Sequence, residues 1–562
     1  MAAYYIGVDV GSGSARAALV SDKGDIVAES VHETLTRRDD SDSNIFEQST
    51  EQIWDCIAQA CRNCLQKANV DKSQVKGIGF DATCSLAVAN IDTGEPVSVS
   101  PDSWHTDNKV DGRTWDVILW ADHRAFDEAK LINSTGSMVL KYVGGTMSLE
   151  MEAPKMLWLK RHMPKDVFER SMFFDLPDFL TYRATGDLAR SNCSLACKCS
   201  YVPPGVEGSK GWNDEFFTKI GLEEFPKTDY KQVGGQPGKS GLILTAGQPV
   251  GTGLSAKAAE ELGLLEGTPV GSGVIDAYAG WIGTVAAPME GQSTTSLDDS
   301  KHRLAAIAGT STYWMNEGGQ SSTGQLLDFM IDTHPASARL KQMAKEKGTN
   351  HFSLLAEILT NMAKERKVPF MSYLTKDMTL YPDLHGNRSP LADNDMRGML
   401  IGMKLDKNVS DLALRYYATG EAIALQTRQI IDEMNKNGHQ VKSIFMSGGL
   451  IADVCNVPVQ LPYSHSASVV LGSAMLGAAA AQEAANAPVL STQELAEKGS
   501  FGMKERLWDI MVKMSKPGTT VKPSASEKEL QLLKVKYNTF LECIELQRKW
   551  RRQVSEALGE AQ

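Results

Sequence analysis

Short runs of alternating apolar and polar positions punctuate this chain, separated by longer stretches with helical spacing. Residues 6–20 place two apolar arms around Gly11-Ser12-Gly13-Ser14, which predicts a β-hairpin with a glycine-rich tip. Apolar residues recur at helical spacing over 49–69, and the run VKGIGFD predicts a strand ending at Asp81. The apolar run 270–276 predicts a further strand that also ends in an aspartate.

The second half repeats the opening theme. Residues 302–313 read HRLAAIAGTSTY, an apolar arm followed by Gly309-Thr310-Ser311. Two such units, one in each half, indicate a duplicated scaffold with two phosphate-facing loops. Because 562 residues exceed what one hydrophobic core supports, two or more domains are expected. Further patterns predict a strand over 441–450 and helices over 337–366, 409–434, 469–485 and 526–557.

Composition narrows the class of protein. Hydrophobic residues make up 42% of the chain, as in globular proteins, and the net charge of −11 argues against nucleic acid as a partner. The most apolar run, 467–481, is shorter than the ~18 residues that suggest a membrane span, so no membrane partner is expected. With no secretory signal and nine cysteines, an odd number, the sequence predicts reduced thiols and a cytoplasmic location, with a homodimer left open.

The first glycine loop has the chemistry of an anion site. Its glycines admit a positive φ and leave backbone N–H groups uncovered, and these groups with the hydroxyls of Ser12 and Ser14 form a cradle for phosphate. Asp9 precedes the loop, and a carboxylate beside phosphate requires a cation between them, which indicates Mg²⁺. Arg16 lies within reach of a phosphate oxygen. The alternative is an ordinary hairpin, because short glycine motifs also match by chance.

Three further groups follow predicted strand ends. Thr83-Cys84-Ser85 either line a pocket or form a polar strand end. Asp122-His123-Arg124 follow a short strand predicted over 117–120 and suit a hydroxyl-rich ligand, or cap the next helix with Asp122 as N-cap. Asp276 is placed to accept a proton, or is itself an N-cap.

One motif is set aside. Residues 234–240 read GGQPGKS, but Val233 stands where a phosphate-binding P-loop needs its first glycine. A strand-like run follows instead of a helix. We therefore predict a surface loop at this position.

Several motifs together resemble one family. They are FDATCSL at 80–86, WADHR at 120–124, FFDLPDFL at 173–180 and HGNRSPLAD at 385–393. In this order they resemble the FGGY carbohydrate kinases of the acetate-kinase/actin/sugar-kinase superfamily, and within them the D-ribulokinases. The resemblance implies an α/β fold of two ribonuclease-H-like domains with a central cleft, a sugar-binding and catalytic domain over 1–286 and a nucleotide-binding domain over 287–562.

The resemblance also implies an activity and its residues. The expected reaction is the ATP- and Mg²⁺-dependent phosphorylation of a pentulose or pentitol, chiefly of D-ribulose to D-ribulose 5-phosphate, with Asp276 as the catalytic base and Asp9 holding the metal through water. The implied sugar-binding residues are Thr83, Cys84, Ser85, Lys198, Asp276 and Glu317, with Asp122, His123 and Arg124 beside them. The implied ATP-binding residues are Gly11, Ser12, Gly13, Ser14, Arg16, Gly309, Thr310, Ser311, Gly448 and Gly449.

The chain departs from the family pattern twice, in the half expected to bind ATP. Only four residues separate the GTS loop from the NEGGQS motif, and 451–453 follow the GGL at 448–450 at once. The C-terminal domain is therefore expected to be shortened near 313–315 and 450–452. The alternative function is that of a catalytically impaired isoform that binds sugar or nucleotide.

Overall fold

A computed structural model describes residues 2–39, 41–104, 108–204, 206–288, 303–304, 319–320, 323–445, 449–461, 463, 467–486 and 501–559. The chain separates into two compact units. Unit 1 consists of Met1–Ser300, Ala305–Glu317 and Pro462–Gly518, and unit 2 of Lys301–Leu304, Gly318–Leu461 and Thr519–Gln562. Because Pro462–Gly518 groups with the first part of the chain, the units differ from a single division of the sequence after residue 286.

Both units mix strands with helices. The strands are β1 Tyr4–Val10, β2 Ser14–Ser21, β3 Ile26–Glu33, β4 Arg37–Arg38, β5 Phe46–Gln48, β6 Val75–Ala82, β7 Leu86–Asn90, β8 Val117–Ile118, β9 Ser171–Asp175, β10 Arg190–Ser191, β11 Ile243–Leu244, β12 Val270–Ile275, β13 Arg303–Leu304, β14 Thr379–Tyr381, β15 Met399–Ile401, β16 Ser443–Phe445, β17 Val459–Leu461 and β18 Thr519–Val521. The α-helices are α1 Thr50–Ala68, α2 Phe126–Ser134, α3 Glu152–His162, α4 Lys165–Glu169, α5 Leu176–Thr185, α6 Asn192–Lys198, α7 Asp214–Ile220, α8 Glu224–Lys227, α9 Ala256–Leu262, α10 Asp276–Ile282, α11 Gly324–Asp332, α12 Ser337–Lys347, α13 His351–Glu365, α14 Val409–Lys436, α15 Gly449–Cys455, α16 Ser468–Asn486, α17 Phe501–Met514 and α18 Glu527–Leu558.

The main sheet of unit 1 has the order β12-β6-β1-β2-β3. Strands β1, β2 and β3 form an antiparallel meander, whereas β6 runs parallel to both β1 and β12. The predicted hairpin of β1 and β2 and the strand ending near Asp81 are confirmed. A second sheet in unit 1 has the order β4-β5-β8-β7-β9. Its strand β7 begins directly after Ser85, and its strand β8 ends at Ile118, shortly before the segment 120–124.

Helix α16 packs on the main sheet at backbone distance. A Cβ added to Gly7 would lie 1.9 Å from the carbonyl oxygen of Val470, and one added to Gly79 would lie 2.1 Å from that of Ser473. Since neither contact leaves room for a side chain, glycine on these strands is what allows the helix to approach so closely. This approach places Ser473 against the buried end of β6.

Unit 2 is built around a sheet of order β13-β16-β17-β18 and the long helices α14 and α18. Its core includes Tyr381, Leu425, Ile444 and Phe540, all buried. The long helices predicted over 409–434 and 526–557 are confirmed with small differences at their ends.

Four local predictions need correction. The strand predicted over 441–450 is wrong at its end, because β16 spans Ser443–Phe445 and Gly449 begins helix α15. The helical stretch predicted over 337–366 is two helices, because Gly348 at φ 67° ends α12 in the left-handed region. The strand predicted over 117–120 spans Val117–Ile118 alone. Asp122 is not an N-cap, since α2 begins at Phe126 and is preceded by Ala125.

Candidate active site

Parallel strands of unit 1 bring three carboxylates towards one edge of the main sheet. Asp9 on β1 lies beside Asp81 on β6 in the strand register, and Asp81 pairs with Val274 on β12, two residues before Asp276. Asp81 is fully buried, whereas Asp9 and Asp276 are half-buried. These three residues are named the carboxylate cluster below.

The carboxylate cluster is electrostatically unbalanced. Burial raises the pKa of Asp81 well above its usual range, and the charges of Asp9 and Asp276 raise it further. Ser473 on α16 donates a hydrogen bond to Asp81 and opposes this rise. Burial also raises the pKa of Asp9, although Arg16 and a hydrogen bond with Asp81 act to lower it. A cation in this region would relieve the repulsion.

Asp276 opens α10. Its Oδ1 accepts the N–H of Ala277 at 2.7 Å, and the N-cap position belongs to Ile275. The capping alternative for Asp276 therefore does not describe its position. A half-buried carboxylate at the end of β12 is placed to interact with a ligand at this edge.

The glycine loop between β1 and β2 is held from two sides. The N–H of Gly11 donates to the carbonyl of Ser14 at 2.9 Å, so it is used within the turn. The carbonyl of Gly13 accepts the N–H of Thr34, and that of Ser12 accepts the Gln48 side-chain amide at 2.8 Å. Arg16 stands opposite Asp9 across the hairpin.

The expected reason for glycine in this loop is wrong. Neither Gly11 nor Gly13 has a positive φ. Among the described residues, a Cβ on Gly13 would meet no atom within 4 Å, and one on Gly11 would meet the carbonyl oxygen of Ser14 at 3.7 Å. Backbone strain and internal packing thus leave glycine unexplained here, whereas a ligand that approaches the loop closely would need it.

The hydroxyl groups of Thr83 and Ser85, which follow β6, are buried and hydrogen-bonded; the segment 83–85 is named the hydroxyl wall below. Thr83 Oγ1 lies 3.3 Å from Ser85 Oγ, and the Thr83 N–H donates to the carbonyl of Val10 at 2.9 Å. Ser85 Oγ also accepts the backbone N–H of Trp120 at 3.2 Å. Cys84, between the two hydroxyl residues, is buried. These contacts place the 83–85 segment next to the carboxyl end of β1.

Trp120 links this wall to the glycine loop. Its indole Nε1–H donates to Ser12 Oγ at 2.7 Å, across more than 100 residues of sequence. The side chain is half-buried. The WADHR motif therefore contributes its tryptophan directly to the glycine loop.

Asp122 and Arg124 belong to an internal ion network, together with Glu47 and Arg37. Arg124 donates from Nε and Nη2 to Asp122 at 2.7–3.0 Å and from Nη2 to Glu47 at 2.9 Å. Arg37 donates to Glu47 at 2.7 Å. Burial lowers the pKa of Arg124, but the two carboxylates more than offset this, so its pKa is raised. His123 between them is half-buried, and its backbone N–H donates to the carbonyl of Asn44.

Lys198 ends α6 inside a buried acid–base group. The charges of Lys198 and Lys155 lower the pKa values of Glu152 and Asp175, whereas burial raises both by more. All four side chains are at most 1% exposed. Among the described residues, neither carboxylate oxygen of Glu152 has a hydrogen-bond partner. This unused acceptor marks a polar interior near the residue that the sequence associates with sugar binding.

The predicted residues of the second half mostly lie outside the described residues. These are Gly309, Thr310, Ser311, Glu317 and Gly448, so their roles stay predictions. Gly449 is the first residue of α15, which follows β16 in unit 2. The helix covers 450–452, one of the two places where the sequence departs from the family pattern.

Residues 234–240, whose sequence partly matches a P-loop, form a surface loop before the two-residue strand β11. Lys239 has a side chain 64% exposed, and its Nζ contacts Asp229 at 2.7 Å. Strand β11, not a helix, follows it. The prediction of a loop is confirmed.

Sequence reasoning missed several polar residues of this region: Asp81, Trp120, Glu152, Asp175 and Ser473. Asp81 carried the signal that singled out Asp276, a carboxylate at the end of an apolar run. Ser473 offered none, because it lies in a helix of small residues 392 positions from its partner.

Comparison with known proteins settles the class. The N-terminal domain of the FGGY family of carbohydrate kinases matches residues 4–97, and its C-terminal domain matches residues 281–481. A D-ribulokinase of Saccharomyces cerevisiae is 43% identical over 86% of this chain and 72% of its own length. The chain belongs to the FGGY family of carbohydrate kinases.

A second relative covers nearly the whole chain. The FGGY carbohydrate kinase domain-containing protein of Homo sapiens is 38% identical over 97% of both chains. Membership makes this protein a sugar kinase, a phosphotransferase with an alcohol group as acceptor and ATP as donor. The predicted class of enzyme is confirmed.

Solved structures confirm the fold. A ligand-bound xylulose kinase from Lactobacillus acidophilus aligns with a TM-score of 0.66 at 17% identity, over 99% of this chain and 98% of that one. The xylulose kinase from Rhodospirillum rubrum aligns at 0.64 over 97% and 99%. The predicted α/β fold, the two-domain fold of the actin and sugar-kinase ATPases, is therefore correct. In the described part of the chain, no helix combines the length and apolarity needed to cross a membrane.

Proposed function

We propose that this carbohydrate kinase phosphorylates a pentulose and that D-ribulose is its preferred substrate, giving D-ribulose 5-phosphate. The carrying observation is the 43% identity to a D-ribulokinase over most of the chain. The arrangement of unit 1 supports it, because Asp276, the hydroxyl wall at 83–85 and the glycine loop all follow from adjacent strands of one sheet.

Asp276 is the proposed base. The oxygen of a sugar hydroxyl attacks the γ-phosphorus of ATP as its proton passes to the Asp276 carboxylate, and the bond from that phosphorus to the bridging oxygen breaks to release ADP. The half-buried carboxylate at the start of α10 is accessible for this transfer. Thr83, Cys84, Ser85 and Lys198 are the proposed sugar contacts in unit 1.

Asp9, near the carboxyl end of β1, is the proposed protein contact to Mg²⁺. Among the described residues, no group of three or more His, Cys, Asp or Glu is arranged to hold a metal ion. Mg²⁺ usually binds one or two carboxylates together with water and substrate phosphates, and Asp9, half-buried just before the glycine loop, suits that role. When bound, the ion supplies positive charge that neutralises the transferring phosphate. Arg16 and the loop from Gly11 to Ser14 are the proposed protein contacts to that phosphate.

We also place the reaction in the cytoplasm. All nine cysteines lie within the described residues, and all are free thiols. Reduced thiols in this number are typical of proteins kept in a reducing compartment.

The test is an assay coupled to ADP formation over D-ribulose, D-xylulose, L-ribulose and ribitol. D-ribulose should give the highest kcat/KM. A higher value for another sugar would overturn the substrate proposal and leave the kinase class intact. Binding of D-ribulose by calorimetry without turnover would instead support the catalytically impaired isoform that the two shortened segments suggest.

Asp9→Ala separates the metal role from the sugar role. The variant should require more Mg²⁺ and ATP for half-maximal rate, while the calorimetric affinity for D-ribulose stays within about twofold of the parent. Lost sugar binding with a normal Mg²⁺ dependence would show that Asp9 belongs to the sugar site.

A further inference from the structure

A chain of hydrogen bonds in unit 1 joins the hydroxyl wall to the glycine loop through Trp120. Thr83 Oγ1 is 3.3 Å from Ser85 Oγ, Ser85 Oγ accepts the backbone N–H of Trp120 at 3.2 Å, and the Trp120 indole donates to Ser12 Oγ at 2.7 Å. One residue thus contacts both segments, with its backbone on one side and its side chain on the other.

The direction of the last hydrogen bond has a chemical consequence. An indole N–H is a donor only, so Ser12 Oγ must act as the acceptor in this contact. The hydroxyl proton of Ser12 is then directed away from Trp120 and available for an acceptor elsewhere. The Ser12 carbonyl is held by Gln48 at 2.8 Å, which limits the rotation of the loop as a whole.

The open space around the loop indicates where such an acceptor lies. A Cβ on Gly13, the next residue, would meet no atom of the described part of the chain within 4 Å. Arg16 and Asp9 lie opposite each other on the two strands that this loop connects. An anion that approaches here would meet an oriented hydroxyl donor.

We propose that Trp120 is a positioning residue for phosphoryl transfer: its indole N–H orients the Ser12 hydroxyl as a donor to the phosphates of ATP, and its backbone ties that loop to the sugar-side residue Ser85. The inference rests on the proposed function, since it assumes that the glycine loop binds the nucleotide phosphates. Trp120 acts through Ser12, and the proposal gives it no contact with ATP.

Trp120→Phe is the direct test, because it keeps an aromatic ring and the backbone contact to Ser85 but removes the N–H. The kcat/KM for ATP should fall about 3- to 10-fold, the range for losing one hydrogen bond, while the KM for the sugar changes by less than about twofold. Ser12→Ala should give an ATP-specific loss at least as large. In the Ser12→Ala background, Trp120→Phe should cost no more than about twofold further.

Trp54→Phe is the matched control. It removes an indole N–H that donates to Glu261 at 2.7 Å, also in unit 1 but on helix α1. This variant should leave kcat/KM for ATP within about twofold of the parent. An equal loss in the control, or the same Trp120→Phe loss with and without Ser12, would overturn the proposal.

Hydrogen–deuterium exchange of the peptide covering residues 9–16 provides a readout that needs no turnover. Trp120→Phe should accelerate exchange there, and the double variant should match Ser12→Ala alone. If the parent phosphorylates no sugar, the proposed function fails, and exchange together with calorimetric binding of ATP still decides the inference. Unchanged exchange in Trp120→Phe would refute it. If Trp120→Phe does not fold, Ser12→Ala is the deciding variant. An ATP-specific loss of kcat/KM together with faster exchange would support the proposal. The absence of both changes would refute it.

Discussion

The carboxylate cluster and the ion network of unit 1 look alike in sequence and differ in charge balance. Both contain aspartates within a few residues of the end of a strand. In the ion network, the carboxylates of Asp122 and Glu47 accept hydrogen bonds from the guanidinium groups of Arg124 and Arg37 at 2.7–3.0 Å. In the carboxylate cluster, burial and the charges of Asp9 and Asp276 raise the pKa of Asp81, and Arg16 is the positive neighbour of Asp9.

This difference in charge balance indicates how polar residues near the end of a strand can be interpreted. A buried network whose charges cancel has no need of a ligand, and removing one member leaves an uncompensated charge. A cluster of like charges is unfavourable in isolation and is typical of a site completed by substrate or metal. We therefore interpret the ion network as structural support and the carboxylate cluster as the reactive region.

The largest effect is expected from Asp276→Asn. Asparagine keeps the size of the side chain and an oxygen for the Ala277 N–H, but it cannot accept the proton of the sugar hydroxyl. We expect kcat to fall about 10²- to 10⁴-fold with sugar binding retained, measured by the coupled assay and by calorimetry. A kcat within a few-fold of the parent would remove Asp276 from the role of base and weaken the comparison.

Arg124→Ala should act on stability. Glu47 and Asp122 would be left buried without their shared cation, which costs about 3–5 kcal/mol of unfolding free energy. Chemical denaturation measures this, with Arg170→Ala as control, because Arg170 pairs with Asp92 at the surface and should cost at most about 1 kcal/mol. Normal stability with lost sugar affinity would instead place Arg124 in the ligand site.

Asp116→Asn tests whether a raised carboxyl pKa alone marks function. Burial raises the pKa of Asp116 to about 7, and the Thr50 hydroxyl and N–H act to lower it. In the unfolded chain the pKa is about 3.9, so the folded state binds more protons between about pH 4 and 7, and stability falls as pH rises through that window.

The Asp116→Asn variant should therefore lose less melting temperature than the parent between pH 5 and 7.5. Its kcat/KM at pH 7.5 should equal that of the parent, because this carboxyl lies outside the carboxylate cluster. A loss of activity without a change in the pH profile of melting would mean that isolated buried carboxyls also serve the reaction.

The smallest effect is expected from Lys239→Ala. This side chain is mostly exposed, and its ion pair with Asp229 is worth at most about 1 kcal/mol. Activity and the KM for ATP should be unchanged in the coupled assay. A large rise in the KM for ATP would show that the loop at 234–240 binds nucleotide after all.

Local patterns in the sequence were enough to predict several secondary-structure elements and the family. The apolar arms of residues 6–20 predicted the β1–β2 hairpin, and helical spacing predicted α14 and α18, because periodicity and turn chemistry act over a few residues. The ordered motifs predicted the FGGY kinases, which the comparisons confirm. The sequence also predicts that strands end near Asp81 and Asp276, but it does not predict that these two strands lie next to each other in the sheet.

The contacts between polar residues could not be predicted, because they depend on how distant segments fold together. The close approach of α16 to Gly79 allows Ser473 to donate a hydrogen bond to Asp81. The Trp120 indole donates to Ser12, and Arg124 donates to Glu47, which lies 77 residues earlier in the chain. Each of these contacts joins segments far apart in sequence, so no local pattern encodes it. Charge balance, which separates a reactive cluster from a structural one, follows from strand order and backbone packing, because Coulomb interactions depend on distance in space and on burial.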